Sequence, residues 1–145
     1  MRDLMNSIHP LVALAPVVVA DNTAQVGTVI DTAGFNSLTF VLATGTLADT
    51  DATFAVLVEE GDEADLSDAA AVADADLIGT EALAGFDFAD DGATRKIGYA
   101  GYKRYVRLTV TPTGNSGNAP LAAIAVLGHP ASQPTANPPT ANPPG

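Results

Sequence analysis

The side chains of this chain that could do chemistry are mostly carboxylates. Fourteen of its seventeen acidic residues lie between Asp49 and Asp91. Such density suggests calcium, which takes about six to eight oxygen ligands from a loop. The segment beginning at Asp74 opens like an EF-hand loop, but Ile78 stands at a ligand position and Gly85 stands where the bidentate glutamate belongs. We therefore predict no metal site, and a calcium-dependent surface binding or adhesion module stays an alternative function.

The two histidines, His9 and His129, each precede a proline near one end of the predicted folded region. They could meet if those ends lie together, but a zinc site needs further ligands, so we expect capping or surface roles. The sequence has no cysteine, no Gly-Xaa-Ser-Xaa-Gly elbow, no P-loop and no Rossmann fingerprint. We therefore predict a protein that is not an enzyme, with no catalytic residue and no cofactor.

Five of the six basic residues lie within residues 95–107, where tyrosines are interleaved with them. Two interpretations are open: the acidic and basic segments pair within the chain, or they form complementary surfaces on different proteins. Tyrosine and arginine are favoured at protein interfaces, so we expect Tyr99, Tyr102, Lys103 and Arg104 to contact a partner protein. The net charge of −11 argues against nucleic acid and anionic membranes as partners.

Strands must position these side chains, because the polar and apolar residues of segment 103–111 alternate with a period of two. Further strands are predicted at 11–20, 25–32, 35–44, 52–59, 94–98 and 121–127. We place Pro16 at an edge or bulge, a short helix capped by Ser67 at 66–73, and a bend or hairpin at 98–101. About seven or eight strands predict an all-β fold, a compact antiparallel β-sandwich that is Ig-like or jelly-roll-like.

The domain organisation follows from composition. Residues 11–130 are predicted to form the β-sandwich, after an N-terminal arm at 1–10 and before a Pro-rich flexible tail at 131–145. The tail repeats the sequence Pro-Thr-Ala-Asn-Pro at 134–138 and 139–143, and proline cannot donate to a sheet. It is either a disordered end or an arm that lies on a neighbouring subunit. The longest apolar run, residues 11–20, is too short to span a bilayer.

Several segments resemble small structural proteins of tailed phages and prophages. They are residues 1–10 (MRDLMNSIHP), 35–40 (FNSLTF), 96–99 (KIGY), 104–109 (RYVRLT) and 128–130 (GHP). Genes for such proteins often lie near the gene for an HK97-like major capsid protein. The resemblance implies a virion structural protein, most plausibly a capsid decoration or cement protein, assembled in the host cytoplasm.

The resemblance also implies partners, namely the major capsid protein and further copies of this chain on the capsid surface. It names no catalytic residue. Apolar or aromatic groups would anchor such a protein, and terminal arms could become ordered on docking. We therefore expect Met1, Arg2, Leu4 and Met5 of the N-terminal arm to join the contact residues. A head–tail connector or a tail-associated virion protein is the alternative within the same class.

Overall fold

Two antiparallel β-sheets packed against each other form the protein, as seen in a computed structural model that describes residues 1–138 and 140. The first sheet has the order β1 (Ile8–Val19), β11 (Ala119–Pro130), β4 (Phe35–Thr44), β9 (Thr94–Tyr99), β7 (Leu77–Ile78). The second has the order β2 (Gln25–Val26), β10 (Tyr105–Thr113), β5 (Thr53–Gly61), β6 (Ala70–Ala71). Here β3 (Ile30–Asp31) also pairs with β10, and β8 (Phe86–Asp87) also pairs with β5. The predicted antiparallel β-sandwich is confirmed.

The core lies between the sheets because successive strand residues point to opposite faces. In β4, Leu38, Phe40 and Leu42 share one face of the strand and are almost fully buried. Val106 and Leu108 of β10 are fully buried opposite them in the second sheet. The helical elements are short, comprising helix α1 (Glu81–Ala84) and the 3₁₀ turns Met5–Ser7 and Asp74–Asp76. Alternation of apolar residues therefore accounts for most of this fold.

Strand β1 forms one edge of the first sheet and contains two irregularities in its pairing with β11. The register shifts between Val12 and Leu14 and again between Leu14 and Val17. Pro16 lies inside the second shift, where the strand has no ladder hydrogen bond for proline to remove. The predicted placement of this proline at an edge or bulge is confirmed.

The strand predicted at 25–32 is instead broken into β2 and β3. At the break, Gly27 donates its N–H to the carbonyl of Leu108, and Thr28 donates to the carbonyl of Ala13. A Cβ on Gly27 would collide with both of these carbonyl oxygens. The chain thus leaves β10 and turns towards β1 at a point where only glycine fits, which interrupts the ladder.

The predicted helix at 66–73 is wrong, and so is Ser67 as its N-cap. Leu66 is buried with a positive φ of 53°, which no helix contains, and β6 pairs with β5 instead. The Asp68 carboxylate accepts the N–H groups of Asp62 (2.8 Å) and Glu63 (3.2 Å). These side-chain hydrogen bonds to the backbone compete with helix formation and stabilise the non-helical conformation.

Segment 98–101, predicted as a bend or hairpin, joins two strands that do not pair. Strand β9 belongs to the first sheet and β10 belongs to the second, so the chain crosses the sandwich here. The hairpin interpretation is therefore wrong. The strand before the crossing ends at Tyr99, whose side chain points into the space between the sheets.

Residues 133–136 lie beside the start of the chain, where β1 begins at Ile8, inside the predicted N-terminal arm. The start of the predicted flexible tail lies against that arm, and Thr135 donates its N–H to the carbonyl of Asn6 (3.1 Å). Residues 139 and 141–145 of the predicted tail lie outside the described residues. The arm and the tail thus pack on each other in the part that is described.

Candidate functional site

Of the predicted contact residues, Tyr99 lies inside the protein and Tyr102 lies on its surface. Tyr99 is 7 % exposed, whereas Tyr102 is 97 % exposed. The Tyr99 hydroxyl donates to Glu60 Oε2 (2.5 Å) and accepts the backbone N–H of Lys103 (2.9 Å). Burial, reinforced by the hydrogen bond to Glu60, raises the pKa of the Tyr99 hydroxyl. Tyr99 therefore joins the sheets and is not presented to a partner.

The basic residues predicted to contact a partner form ion pairs within the chain. Lys103 Nζ lies 2.6 Å from Asp62 Oδ2. Arg104 donates through Nε and Nη2 to both carboxylate oxygens of Asp31, each at 2.9 Å. The hydrogen bond from Arg104 is the main cause that lowers the pKa of Asp31. A partner that bound Lys103 or Arg104 would have to replace these internal pairs.

Two further pairs extend this pattern along the same segment. Arg95 Nη2 lies 2.6 Å from Asp90, and Arg107 Nη2 lies 3.1 Å from Glu59. Pairing within the chain, one of the two interpretations of the charge separation, is thus present in the structure. Among the described residues, Lys96 and Arg2 take part in no ion pair.

The predicted N-terminal contact residues are exposed. The Asp3 carboxylate accepts the backbone and side-chain N–H groups of Asn6, at 3.3 and 2.6 Å, which folds this arm into a turn. Met1, Leu4 and Met5 are largely exposed there, and Arg2 is exposed between them. Leu4 borders a groove of about 370 Å³ that continues onto β4 and β11. The arm therefore adds apolar side chains to the adjoining sheet surface.

That surface, the outer face, is the side of the first sheet turned away from the second sheet. A row of paired residues crosses four strands there, from Val12 through Ile124 and Val41 to Lys96. Further apolar side chains of the outer face include Pro10, Val18, Ala43, Ile78, Pro120, Ala122 and Val126. Val12, Val18, Ile78 and Ile124 are all exposed to solvent.

The outer face contains no acidic side chain in the described structure. None of the five strands that the described residues contribute to the first sheet contains aspartate or glutamate, although the chain has seventeen acids. Lys96 is the charged residue of the row described above. Large exposed apolar patches of this kind mark interaction sites on soluble proteins.

The outer face was not predicted from the sequence, although its signal is present there. Segments 8–19, 35–44 and 119–130 contain no Asp, Glu, Lys or Arg. This absence became informative only when the pairing placed the three segments side by side in one sheet. The contact residues were predicted instead from the charged clusters, because a cluster of charge is easier to recognise in a sequence than a segment without charge.

A serine and a histidine also meet beside the outer face. Ser37 Oγ and His129 Nδ1 are 3.0 Å apart. Catalytic serine–histidine pairs have a third group that orients the imidazole. His129 is exposed, and among the described residues no carboxylate forms a hydrogen bond with it. The pair lies where β4 and β11 meet, beside the paired residues Ser37 and Gly128, and no orienting group completes a catalytic arrangement among the described residues.

Residues 5–9 and 135–136 form a second site, which we call the terminal clasp. It consists of Met5, Asn6, Ile8 and His9, which hold Thr135 and Ala136. The Thr135 hydroxyl donates to the carbonyl groups of Ile8 and Met5. The Ala136 carbonyl lies 2.9 Å from His9 Nδ1. His9 is itself buried and stacked on Phe35. The clasp thus binds an extended peptide by main-chain and threonine hydrogen bonds.

The described part of the chain contains neither a cluster of metal ligands nor a membrane-spanning helix. No group of three or more His, Asp or Glu side chains there could hold a metal ion. Within the same residues, no helix has the length and hydropathy that crossing a membrane requires.

Comparisons with protein-family models, with curated proteins and with solved structures find no match to this chain. Its function must therefore be inferred from its fold and its surfaces. They define a β-sandwich protein with an exposed outer face free of acidic side chains among the described residues, an apolar N-terminal arm, and most of its acids between residues 49 and 91.

Proposed function

We propose that this protein is a non-enzymatic structural protein of a tailed-phage virion, a capsid decoration protein that binds the outer surface of the major capsid lattice. The observation that carries the proposal is the outer face, which is apolar and exposed on a chain of net charge −11. The resemblance of its segments to tailed-phage structural proteins suggests the partner. The contact surface in this proposal consists of the outer face and Met1, Leu4 and Met5 of the arm.

The distribution of charge supports docking by this side of the molecule. A copy seated on its outer face would bury no carboxylate from the first sheet. Burying a carboxylate without a partner costs several kcal/mol, so a surface free of acids is the one that can be covered at low cost. Lys96 would pair best with an acidic residue on the capsid protein. The acidic loops would then face solvent.

The proposal needs no high affinity from a single contact. Repeated sites on a lattice hold many copies close together, and linked sites bind far more tightly than one alone. The arm already folds into a turn, so its exposed Met1, Leu4 and Met5 add contact area without a large cost of ordering. Modest binding by each outer face is therefore sufficient for high occupancy.

Co-sedimentation with empty shells of the phage's major capsid protein tests the proposal. We expect Ile124→Asp to weaken binding about tenfold or more, because burying an uncompensated carboxylate costs over about 1.4 kcal/mol. Ile124 is 38 % exposed, at the centre of the outer face. Leu57, which is 37 % exposed on the second sheet, provides the matched control.

Leu57→Asp should leave shell binding unchanged, and circular dichroism should show that both variants are folded. Equal binding by Ile124→Asp and the parent chain would reject the outer face as the contact. If the parent chain binds no shells, while electron microscopy of virions shows it at the portal vertex or the tail, the decoration role fails and the connector or tail-associated role replaces it.

A further inference from the structure

The terminal clasp holds the first of two identical peptide repeats. Thr135 and Ala136 make the hydrogen bonds of the clasp, and both belong to the repeat at 134–138. Each of these four bonds involves a main-chain group of residues 5–9 or of the tail. The clasp therefore recognises the direction of the bound backbone and one threonine hydroxyl. The described chain thus contains one site occupied by the Thr-Ala pair of the repeat Pro-Thr-Ala-Asn-Pro.

The second repeat, at 139–143, has the same five residues in the same order. Thr140 stands where Thr135 stands in the first repeat, and Ala141 corresponds to Ala136. The Thr140 side chain is exposed, and its backbone N–H donates to the carbonyl of Asn137 (3.1 Å). The second repeat therefore repeats the groups that the clasp recognises, while its threonine is outside the clasp of its own chain.

We propose that the terminal clasp is a peptide-binding site for Pro-Thr-Ala-Asn-Pro, and that the second repeat of one copy occupies the clasp of a second copy. The first repeat then becomes the bridge between the two copies. Five residues of extended, proline-rich chain add about 16 Å of reach. The exchange needs no capsid and does not depend on the proposed decoration role.

The equilibrium of this exchange follows from the identity of the two repeats. A clasp gains the same hydrogen bonds from either repeat, so exchange costs little enthalpy. The chain's own first repeat has the advantage of its tether, which gives an effective concentration on the order of a millimolar. We therefore expect exchange to be rare in dilute solution and to become populated where copies are crowded.

Cross-linking of two distinguishable copies tests the exchange, because the chain has no cysteine and introduced thiols are unique. The donor copy carries Ala141→Cys. The acceptor copy carries Ser7→Cys, because the Ser7 side chain contacts Gln133 of the tail (3.2 Å). It also carries Thr135→Val and Thr140→Val, which weaken the binding of its own repeats to its clasp. Full-length donor and acceptor, mixed at about a millimolar, are treated with a short bismaleimide and separated on a denaturing gel.

We expect a covalent donor–acceptor dimer, at least fivefold more abundant than with a matched donor that carries Thr140→Val beside Ala141→Cys. The variant Ser7→Cys/Ala136→Cys, which places both thiols at one clasp, should give an internal cross-link and so calibrates the reagent. If the acceptor does not fold, a Ser7→Cys chain with native threonines replaces it and should give the same product in lower yield.

Absence of the dimer, or a dimer that forms equally without Thr140, overturns the proposal. A chain carrying Ser7→Cys, Thr135→Val and Ala141→Cys separates the remaining possibility. If its cross-link is internal at every protein concentration and the mixed copies give no dimer, the second repeat binds the clasp of its own chain, and the exchange between copies is rejected.

Discussion

Tyr99 connects the two sheets through a single hydroxyl group. It lies in β9 of the first sheet, and its hydrogen-bond acceptor Glu60 lies in β5 of the second. The same oxygen accepts the N–H of Lys103 in the segment that crosses between the sheets. A phenol hydroxyl that both donates and accepts in a buried place is costly to remove, because Glu60 and the N–H of Lys103 then each lose a hydrogen-bond partner.

Tyr99→Phe tests this role without changing the shape of the core. We expect a loss of about 1–3 kcal/mol in the free energy of unfolding, measured by urea denaturation at neutral pH. Tyr102→Phe is the control, since its exposed hydroxyl has no such partners among the described residues, and it should change stability by less than about 0.5 kcal/mol. Equal stability of both variants would show that the Tyr99 hydroxyl contributes nothing to joining the sheets.

The acidic residues have structural roles that their number conceals. The Asp49 carboxylate accepts the backbone N–H groups of Asp51 and Ser116, and these bonds lower the pKa of Asp49. Glu81 in α1 accepts the N–H of Val58, which covers part of the edge of β5. These carboxylates act as acceptors for loop and edge backbone, and a sequence alone does not reveal which N–H group each one receives.

At the scale of the elements, the position of Gly27 decides how the chain passes from β2 to β3. Its backbone approaches the carbonyl groups of Ala13 in the first sheet and Leu108 in the second. This close approach ties β1, β10 and the connecting segment together at one point. A side chain of any size would separate them.

Gly27→Ala should therefore destabilise the protein by about 1–3 kcal/mol or more, because the added methyl group overpacks two carbonyl oxygens that cannot move independently. Chemical denaturation gives the value. Gly79→Ala provides a control, since its added methyl group meets nothing within 4 Å and its cost comes from the φ of 88° alone. A smaller loss for Gly27→Ala than for Gly79→Ala would contradict the packing argument.

The long strands were predictable because their alternation is local. Strand β4 was predicted with its observed bounds, Phe35–Thr44, from the spacing of Leu38, Phe40 and Leu42. Of the two-residue strands, β2 and β3 fell within the strand predicted at 25–32, whereas β6, β7 and β8 were not predicted, because each is set by its partner strand and not by a local alternating pattern. Ala70 pairs with Glu60, and no residue pattern in segment 66–73 indicates this pairing.

The contact surface was less predictable than the strands. Tyr99, Lys103 and Arg104 were chosen from residue type, which does not report burial or internal pairing. The arm residues Met1, Leu4 and Met5 were chosen because a terminal arm could become ordered on docking, and the structure shows that they are exposed. The outer face required the strand order, since Val12, Val41 and Ile124 are neighbours only in space.

At the scale of the whole molecule, charge and apolar surface are segregated. The first sheet carries the outer face, whereas the second sheet and the loops between residues 49 and 91 carry most of the acids. Four ion pairs offset part of that charge, yet the net value is −11. The compact state must therefore bear repulsion among carboxylates that unfolding would relieve.

Added salt should for this reason stabilise the protein. Sodium chloride screens repulsion between exposed carboxylates, and it also weakens exposed ion pairs, which contribute little to stability. We expect the midpoint of thermal unfolding to rise between low and moderate salt, by about 3 °C for each kcal/mol of repulsion removed. Differential scanning calorimetry in sodium chloride and in potassium chloride measures the rise without the added effect of a strongly excluded anion.

A charge variant distinguishes repulsion from other effects of salt. In the described residues, the carboxylates of Asp51 and Glu63 accept no hydrogen bond and form no ion pair, so Asp51→Asn/Glu63→Gln removes charge without removing a contact. This variant should melt at a higher temperature than the parent at low salt and respond less to added salt. A midpoint that falls as salt is added to the parent chain would mean that the four ion pairs outweigh the repulsion. In that case the acidic side would be a stabilising network of charge pairs, and its excess charge would cost the fold little.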